Sequence, residues 1–222
     1  VLLSNKASYF KAKNIVFENS FNRYITNEEL ADGVEVLGDS SASPRNIKRT
    51  SSLDVKSKAA TERGAALAAD AGYCEFLNCK FYSSQDTLYT GGSPLYFKNC
   101  VIEGQTDYIF GESNAVFESC DLRWKGYTSG AVGGYITAAR ARGDGSGYTG
   151  YLIFNCKVSK NKGITVQPGY FGRPWGQTAK VKFINTILED GNTIVAAGWG
   201  SMSGVQPESV AGFKEYGTKL AN

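Results

Sequence analysis

The sequence predicts an all-β chain wound as a parallel β-helix, a solenoid whose coils take about 20 residues each. A recurring phrase is the first observation behind this. It runs Val16-Phe17-Glu18-Asn19, Phe76-Leu77-Asn78-Cys79, Phe97-Lys98-Asn99-Cys100, Phe117-Glu118-Ser119-Cys120, Ile153-Phe154-Asn155-Cys156 and Phe183-Ile184-Asn185-Thr186. Counted at the Asn or Ser, the steps are 59, 21, 20, 36 and 30 residues, a short period stretched by loop excursions. Within each phrase apolar and polar residues alternate with period two, the pattern of a strand rather than a helix. Composition agrees: 13 Tyr, 12 Phe, 3 Trp and 26 Gly in 222 residues lean towards strands and turns.

Residues 1–20 read as strands, with Ala12-Lys13-Asn14-Ile15-Val16-Phe17 the clearest run. Residues 21–60 are Ser-rich and charged, carry Asp32-Gly33 and Ser43-Pro44, and read as a long loop leaving the solenoid to one side. Residues 59–71 are Ala-rich and helical on propensity. Leu67 to Cys74 leads straight into a repeat strand, which decides for strand there. Residues 73–123 are three consecutive coils, and 124–150 hold a Gly-rich loop around the strand Gly134-Tyr135-Ile136-Thr137-Ala138-Ala139. Further coils follow at 151–160 and 179–190, separated by Gln167-Pro168-Gly169-Tyr170-Phe171-Gly172-Arg173-Pro174-Trp175. From Gly191 the chain turns Gly- and Ser-rich and is expected to close the C-terminal end. The whole, 1–222, is read as a single domain with an insertion at 21–60.

The repeated Asn positions are expected to stack as a ladder at a bend, and the Cys and Thr beside them as small core residues. Cys100 and Cys120, on adjacent coils with Cα atoms about 4.8 Å apart, are also within reach of a disulfide. Cys74 is then the odd thiol among five.

The absence of histidine excludes Ser-His-Asp and Cys-His catalysis and every His-ligated metal site. Acid–base chemistry must fall to carboxylates, Tyr, Lys or Cys. The cysteines fit no CxxC metal pattern. No run of 18 apolar residues suggests a membrane helix, and no secretory signal stands at Val1. A formal net charge of +3 is ordinary surface balance, with a slight preference for an acidic polymer. No Lys/Arg run suggests nucleic acid.

Asp86, in Gln85-Asp86-Thr87-Leu88-Tyr89, and Asp107, in Thr106-Asp107-Tyr108-Ile109-Phe110-Gly111, are 21 residues apart. With a coil of that length the two carboxylates lie on neighbouring rungs about 4.8 Å apart and point the same way. Like charges that close push their pKa values apart, which suits proton transfer or nucleophilic attack. Alternation puts Gln105, Asp107 and Ile109 on one face and Tyr108 and Phe110 on the other. A ladder of structural Asp residues or Asx-turns is the plainer alternative. Arg173-Pro174-Trp175 is a third element. It reads either as a turn with an exposed aromatic, or as an Arg that keeps a carboxylate ionised beside a Trp that stacks on a sugar.

Taken together, Gln85-Asp86-Thr87-Leu88-Tyr89, Asp107-Tyr108-Ile109-Phe110-Gly111 and Gly172-Arg173-Pro174-Trp175 resemble the three signature motifs of the pectinesterase (pectin methylesterase) family, in the family's order. Similarity extends from Ala12-Lys13-Asn14-Ile15-Val16-Phe17-Glu18-Asn19 to Gly198-Trp199 and Phe213-Lys214-Glu215-Tyr216, nearly the whole chain outside 21–60. The resemblance implies a right-handed parallel β-helix that hydrolyses the methyl esters of galacturonate units in pectin to pectate and methanol. It implies no metal or cofactor, a secreted, extracellular or periplasmic location, and a monomer without a membrane or nucleic-acid partner. Asp107 would be the nucleophile, Asp86 the general acid and then general base, Gln85 an oxyanion donor and Arg173 the cation beside Asp107. Trp175 would stack on the sugar, with Tyr89 in the same groove.

Three departures stand out. Where the family has a second oxyanion-hole Gln, counting back from Asn78-Cys79 gives Arg63; Gln105, on the predicted face of Asp107, is the other candidate for that part of the site. The insertion at 21–60 replaces a short family loop. The family's N-terminal coils have no counterpart before Val1. A polygalacturonate glycoside hydrolase, also a β-helix with paired carboxylates, is the enzymatic alternative, disfavoured by the missing Asp and His motifs. A non-catalytic β-helix that only binds acidic polysaccharide is the other.

Overall fold

The computed structural model describes residues 1–19, 64–125, 133–141, 147–162 and 167–222, with the backbone of 46–48 and 54–56. Three parallel sheets run the length of the molecule, and successive coils add a strand to each. The first sheet holds Leu2–Leu3, Leu67–Ala69, Leu88–Thr90, Thr106–Gly111, Tyr135–Ala139 and Tyr170–Pro174. The second holds Lys11–Lys13, Cys74–Leu77, Leu95–Lys98, Ala115–Glu118, Tyr151–Phe154, Lys180–Ile184 and Gly212–Tyr216. The third begins at Val16–Glu18, runs through Lys80–Tyr82, Val101–Gly104, Asp121–Trp124, Lys157–Lys160 and Ile187–Leu188, and ends at Lys219–Leu220. This is the predicted parallel β-helix.

The phrase that revealed the repeat is the second sheet's inward row. Phe76, Phe97, Phe117, Ile153 and Phe183 lie in register and are fully buried. The rings of Phe76 and Phe97 stack at 4.8 Å, and those of Phe97 and Phe117 at 4.7 Å. Each buried Phe contributes about 1.5–3 kcal/mol by leaving water, and each aromatic pair about 0.5–1.5 more.

The bend from the second to the third sheet is made by one residue with left-handed backbone. Asn14, Asn78, Asn99, Ser119, Asn155 and Asn185 have φ of 59°, 54°, 53°, 54°, 53° and 54°. The left-handed region crowds Cβ, and Asn tolerates it better than most residues because its short amide bonds locally. One rung of the predicted ladder is the bond from Asn185 Nδ2 to Asn155 Oδ1, 3.3 Å. The first repeat was misaligned by the sequence reading. Lys13 pairs with Leu77, so the bend residue is Asn14 and not Asn19. The run Ala12 to Phe17 is accordingly two strands in different sheets rather than one, and Phe17 stacks on Phe81 in the third sheet at 5.2 Å.

No disulfide joins Cys100 to Cys120: all five thiols are free and buried. In-register parallel neighbours send their Cβ atoms in the same direction, whereas a disulfide needs them to converge. The Cys79 thiol donates to the Leu77 carbonyl of its own coil at 3.5 Å, and the next three thiols of the stack reach the backbone of the preceding coil. Cys100 Sγ donates to the Phe76 carbonyl at 3.3 Å, Cys120 Sγ to Phe97 at 3.6 Å and Cys156 Sγ to Phe117 at 3.4 Å.

The Ala-rich stretch is strand at Leu67–Ala69, as its sequel indicated. Within 21–60, Asn46–Lys48 and Asp54–Lys56 pair antiparallel, and the rest of that insertion lies outside the described residues. Two elements depart from expectation. Arg173 lies in the strand Tyr170–Pro174 and not in a turn. Beyond Gly191 the chain does more than cover an end: after a short 3-10 turn at Pro207–Ser209, Gly212–Tyr216 and Lys219–Leu220 add another coil. Phe213 of that coil stacks on Trp199 at 4.3 Å. No helix among the described residues is long and apolar enough to cross a membrane.

Candidate active site

The outer face of the first sheet brings the sequence motifs together. Leu88 lies opposite Ile109, and Gln85 forms a parallel bridge with Thr106, so Asp86 falls opposite Asp107. The Asp86 amide donates to the Thr106 carbonyl at 3.1 Å. Both aspartates have left-handed backbone, with φ of 61° and 50°. That conformation costs a non-glycine residue roughly 1–2 kcal/mol, least for Asp and Asn.

At Asp107 the ladder to the next coil slips. Thr106 pairs with Tyr135 but Ile109 with Thr137, so three steps on one strand face two on the other. Such a bulge re-aims side chains, and it overturns the alternation read from the sequence. Asp107 faces outward with Phe110, while Tyr108 and Ile109 are both fully buried, Tyr108 packing edge-on against Trp124 at 5.4 Å.

Arg173 grips Asp107 with two parallel bonds, Nε to Oδ1 at 2.8 Å and Nη2 to Oδ2 at 2.6 Å. The strand positions explain how. Phe110, Ala138 and Arg173 are in register on successive coils, so the guanidinium must pass over Ala138 to reach the aspartate's coil. A methyl group leaves that path open. Gly172 meets a separate demand on the inward side of the strand, since a Cβ there would come within 2.0 Å of the buried Thr137 Oγ1. The guanidinium also lies over the Tyr135 ring, 4.3 Å from its centroid, and Tyr135 stacks on Tyr170 at 5.0 Å. Burial works against the charge on Arg173, but the hydrogen bonds and charge of Asp107 outweigh it, helped by Tyr135 and Asp86. The group is held above its ordinary value.

A cavity of about 140 Å³ is lined by Gln85, Asp86, Asp107, Phe110, Ala138, Arg173, Trp175 and Met202. Asp107 is nearly covered, its side chain 6% exposed, whereas Trp175 stands at the rim, 38% exposed and 6.2 Å from the Phe110 ring. The cavity therefore has a covered end at Asp107 and an aromatic, solvent-facing end at Trp175. A larger hollow of about 770 Å³ along the turns near Asp70, Tyr73 and Tyr148 contains neither aspartate of the pair.

Gln85, Asp86, Asp107, Arg173 and Trp175 thus meet as the motifs suggested. Tyr89 stands one coil before Phe110, its ring 5.1 Å away, outside the cavity lining. Gln105 is fully buried and does not line the cavity. Arg63 lies outside the described residues; Gly64, which follows it, donates to the Gln85 carbonyl at 3.1 Å. Sequence reasoning missed Phe110, Tyr135, Ala138 and Met202. Tyr135 and Ala138 sit in a strand that was recognised, but nothing in its alternation tied it to the carboxylates. Met202 comes from the Gly- and Ser-rich tail, which has no periodicity to read. No cluster of three or more His, Cys, Asp or Glu side chains suited to a metal ion occurs among the described residues.

The family model described as Pectinesterase matches residues 39–219. It takes in part of the 21–60 insertion and leaves out residues 1–38, although residues 2–18 supply strands to all three sheets. A probable pectinesterase A of Neosartorya fischeri is 40% identical over 144 residues, 64% of this chain and 41% of the relative. Pectinesterase 31 of Arabidopsis thaliana is 35% identical over 156 residues, 69% of this chain and 45% of the relative. Among solved structures, the pectin methylesterase PemA of Erwinia chrysanthemi superposes with a TM-score of 0.68 at 25% identity, over 96% of this chain and 63% of that one. The chain spans less than half the length of these two curated relatives.

Proposed function

The chain belongs to the pectinesterase family, and from that premise we propose that it hydrolyses the methyl esters of galacturonate units in pectin, releasing methanol and leaving pectate. Asp107 is the nucleophile: one carboxylate oxygen attacks the ester carbonyl carbon, and the carbonyl electrons move onto its oxygen. Gln85 donates its amide N–H to that oxyanion, stabilising charge without competing for a proton. As the intermediate collapses, Asp86 gives its proton to the departing methoxide, and methanol leaves an acyl-enzyme anhydride on Asp107. Asp86, now a carboxylate, takes a proton from water, which attacks the acyl carbon and returns Asp107 as a carboxylate and the substrate as a free acid. The chain's own side chains and water account for every proton and electron pair in this cycle, so it calls for no metal or cofactor.

The observation that carries the reading is the asymmetry of the pair. Two in-register aspartates share a small cavity, and one is held bidentately by a guanidinium. A bidentate cation favours the charged form of Asp107, and a fixed negative charge beside Asp86 favours its protonated form. That is the starting state the cycle needs. Phe110 and Trp175 offer apolar faces at the open end, where a sugar ring can stack. The substrate is methyl-esterified homogalacturonan met outside the cytoplasm, and the working unit is one β-helix domain acting as a monomer.

The test is methanol release from highly methylated pectin, with new reducing ends measured in parallel. Methanol without reducing ends is the expected result. Reducing ends would replace the esterase with a glycoside hydrolase, and a folded chain giving neither product would leave only polysaccharide binding.

A further inference from the structure

Glu112, Arg140 and Trp175 form a column beside the catalytic one. The Arg140 amide donates to the Gly111 carbonyl and the Trp175 amide to the Ala139 carbonyl, each at 3.0 Å. The three residues therefore occupy the same position on successive coils, two places beyond Phe110, Ala138 and Arg173 and on the same outward face. Glu112 has a side chain only 9% exposed, and its Oε2 accepts from Arg140 Nε at 3.2 Å. The same guanidinium lies over the Trp175 ring, its Cζ 4.3 Å from the centroid. Arg140 itself is 44% exposed, as a long side chain is when it lies along a surface rather than under it.

We propose that Arg140 is a positioning residue for the sugar platform: anchored by Glu112, it occupies one face of the Trp175 indole and leaves the opposite face as the surface a galacturonate ring meets. Trp175 has two χ angles and, among the described residues, no hydrogen-bonded partner for its indole, so without a cover on one face it can rotate and offer a sugar several poses. A planar guanidinium fixed by a buried carboxylate removes that freedom, because it stacks on the ring and is itself held by an ion pair. The role concerns binding, since Arg140 reaches neither aspartate of the reacting pair. The inference rests on the pectinesterase reading for the identity of the sugar, not for the contact itself.

The experiment compares wild type, Arg140→Ala, Arg140→Gln, Trp175→Ala and the Arg140→Ala/Trp175→Ala double variant. Methanol kinetics on methylated pectin are measured beside calorimetric binding of methylated and de-esterified galacturonate oligomers. Each Arg140 variant is expected to raise KM and Kd about 3- to 10-fold, the scale of one partly exposed cation–π contact together with its anchoring ion pair. Its kcat should stay unchanged. In the Trp175→Ala background the Arg140 substitution should shift Kd less than about 2-fold, because its route of action is gone. Both oligomers should lose affinity alike. An undiminished effect in the double variant, a loss confined to the de-esterified oligomer, or a fall in kcat at constant KM would each overturn the proposal, the first two in favour of a direct contact with substrate carboxylate. Arg140→Gln keeps the side-chain stem and answers the question if the alanine variant fails to fold. If wild type releases no methanol, the esterase reading fails, while the binding arms still decide the role of Arg140.

Discussion

Asp86 and Asp107 owe their outward aim to left-handed backbone, which sets the choice of probe. Alanine in that conformation lacks the local hydrogen bonds that make Asp tolerable there, so a loss of activity would mix chemistry with backbone strain. Asparagine keeps the conformation and removes the charge. Asp107→Asn and Asp86→Asn are each expected to reduce methanol release by roughly a thousandfold or more, with unchanged far- and near-ultraviolet circular dichroism; activity near wild type in either would remove that residue from the mechanism. Ala138 offers a test that touches no reacting atom. A leucine there fills the path of Arg173 to Asp107, so Ala138→Leu should lose activity to the extent that Arg173→Ala does, and the two effects should not add. Additive losses would show that Arg173 still reaches its partner. At this scale the motif residues were legible from the sequence because each lies in a dense local pattern. Ala138 was not, since a small residue announces nothing about the side chain that must cross it.

The strand–bend–strand unit explains both what the period gave correctly and where it misled. Phe, then Asn, then Cys repeats because one face must be buried, one residue must turn left-handed, and the next must fit a narrow stack. The first coil meets the burial and bend demands with Ala12 and Asn14, while Ile15, at the stack position, is exposed, and the look-alike Phe17-Glu18 falls on the following strand. Only pairing with Leu77 and Phe81 distinguishes them. If the bend is the constraint, Asn99→Gly should change stability little and Asn99→Ala should cost about 1–2 kcal/mol, read from urea midpoints. Equal costs for both would mean that the amide's bonds matter more than its backbone. The alternation through Asp107 failed for a related reason: one left-handed residue in a bulge shifts the faces after it.

Over the whole molecule, distance in sequence stops predicting distance in space wherever a coil carries an excursion. Asp86 and Asp107 were paired correctly because the coil between them has none. Asp107 and Arg173 are 66 residues apart, and the coils between them carry excursions on either side of the first-sheet strand Tyr135–Ala139. The cysteine stack also belongs to this scale. Parallel stacking aligns four thiols without letting neighbours converge, so the oxidised and reduced protein should have the same melting temperature. In denaturant without reductant all five thiols should titrate, and a count of three or fewer would mean that a bridge had formed.

The sequence by itself determined the solenoid, its coil length, the family and the two carboxylates, because burial, bend geometry and short coils leave a periodic mark on neighbouring residues. The tertiary structure alone decided which further residues surround the motif residues: the Tyr135 ring beneath the Arg173 guanidinium, the Glu112–Arg140 pair beside Trp175, and Met202 from the tail. Those contacts run along the helix axis between coils of unequal length. Their register is set by backbone pairing between strands, which no pattern within a single coil encodes.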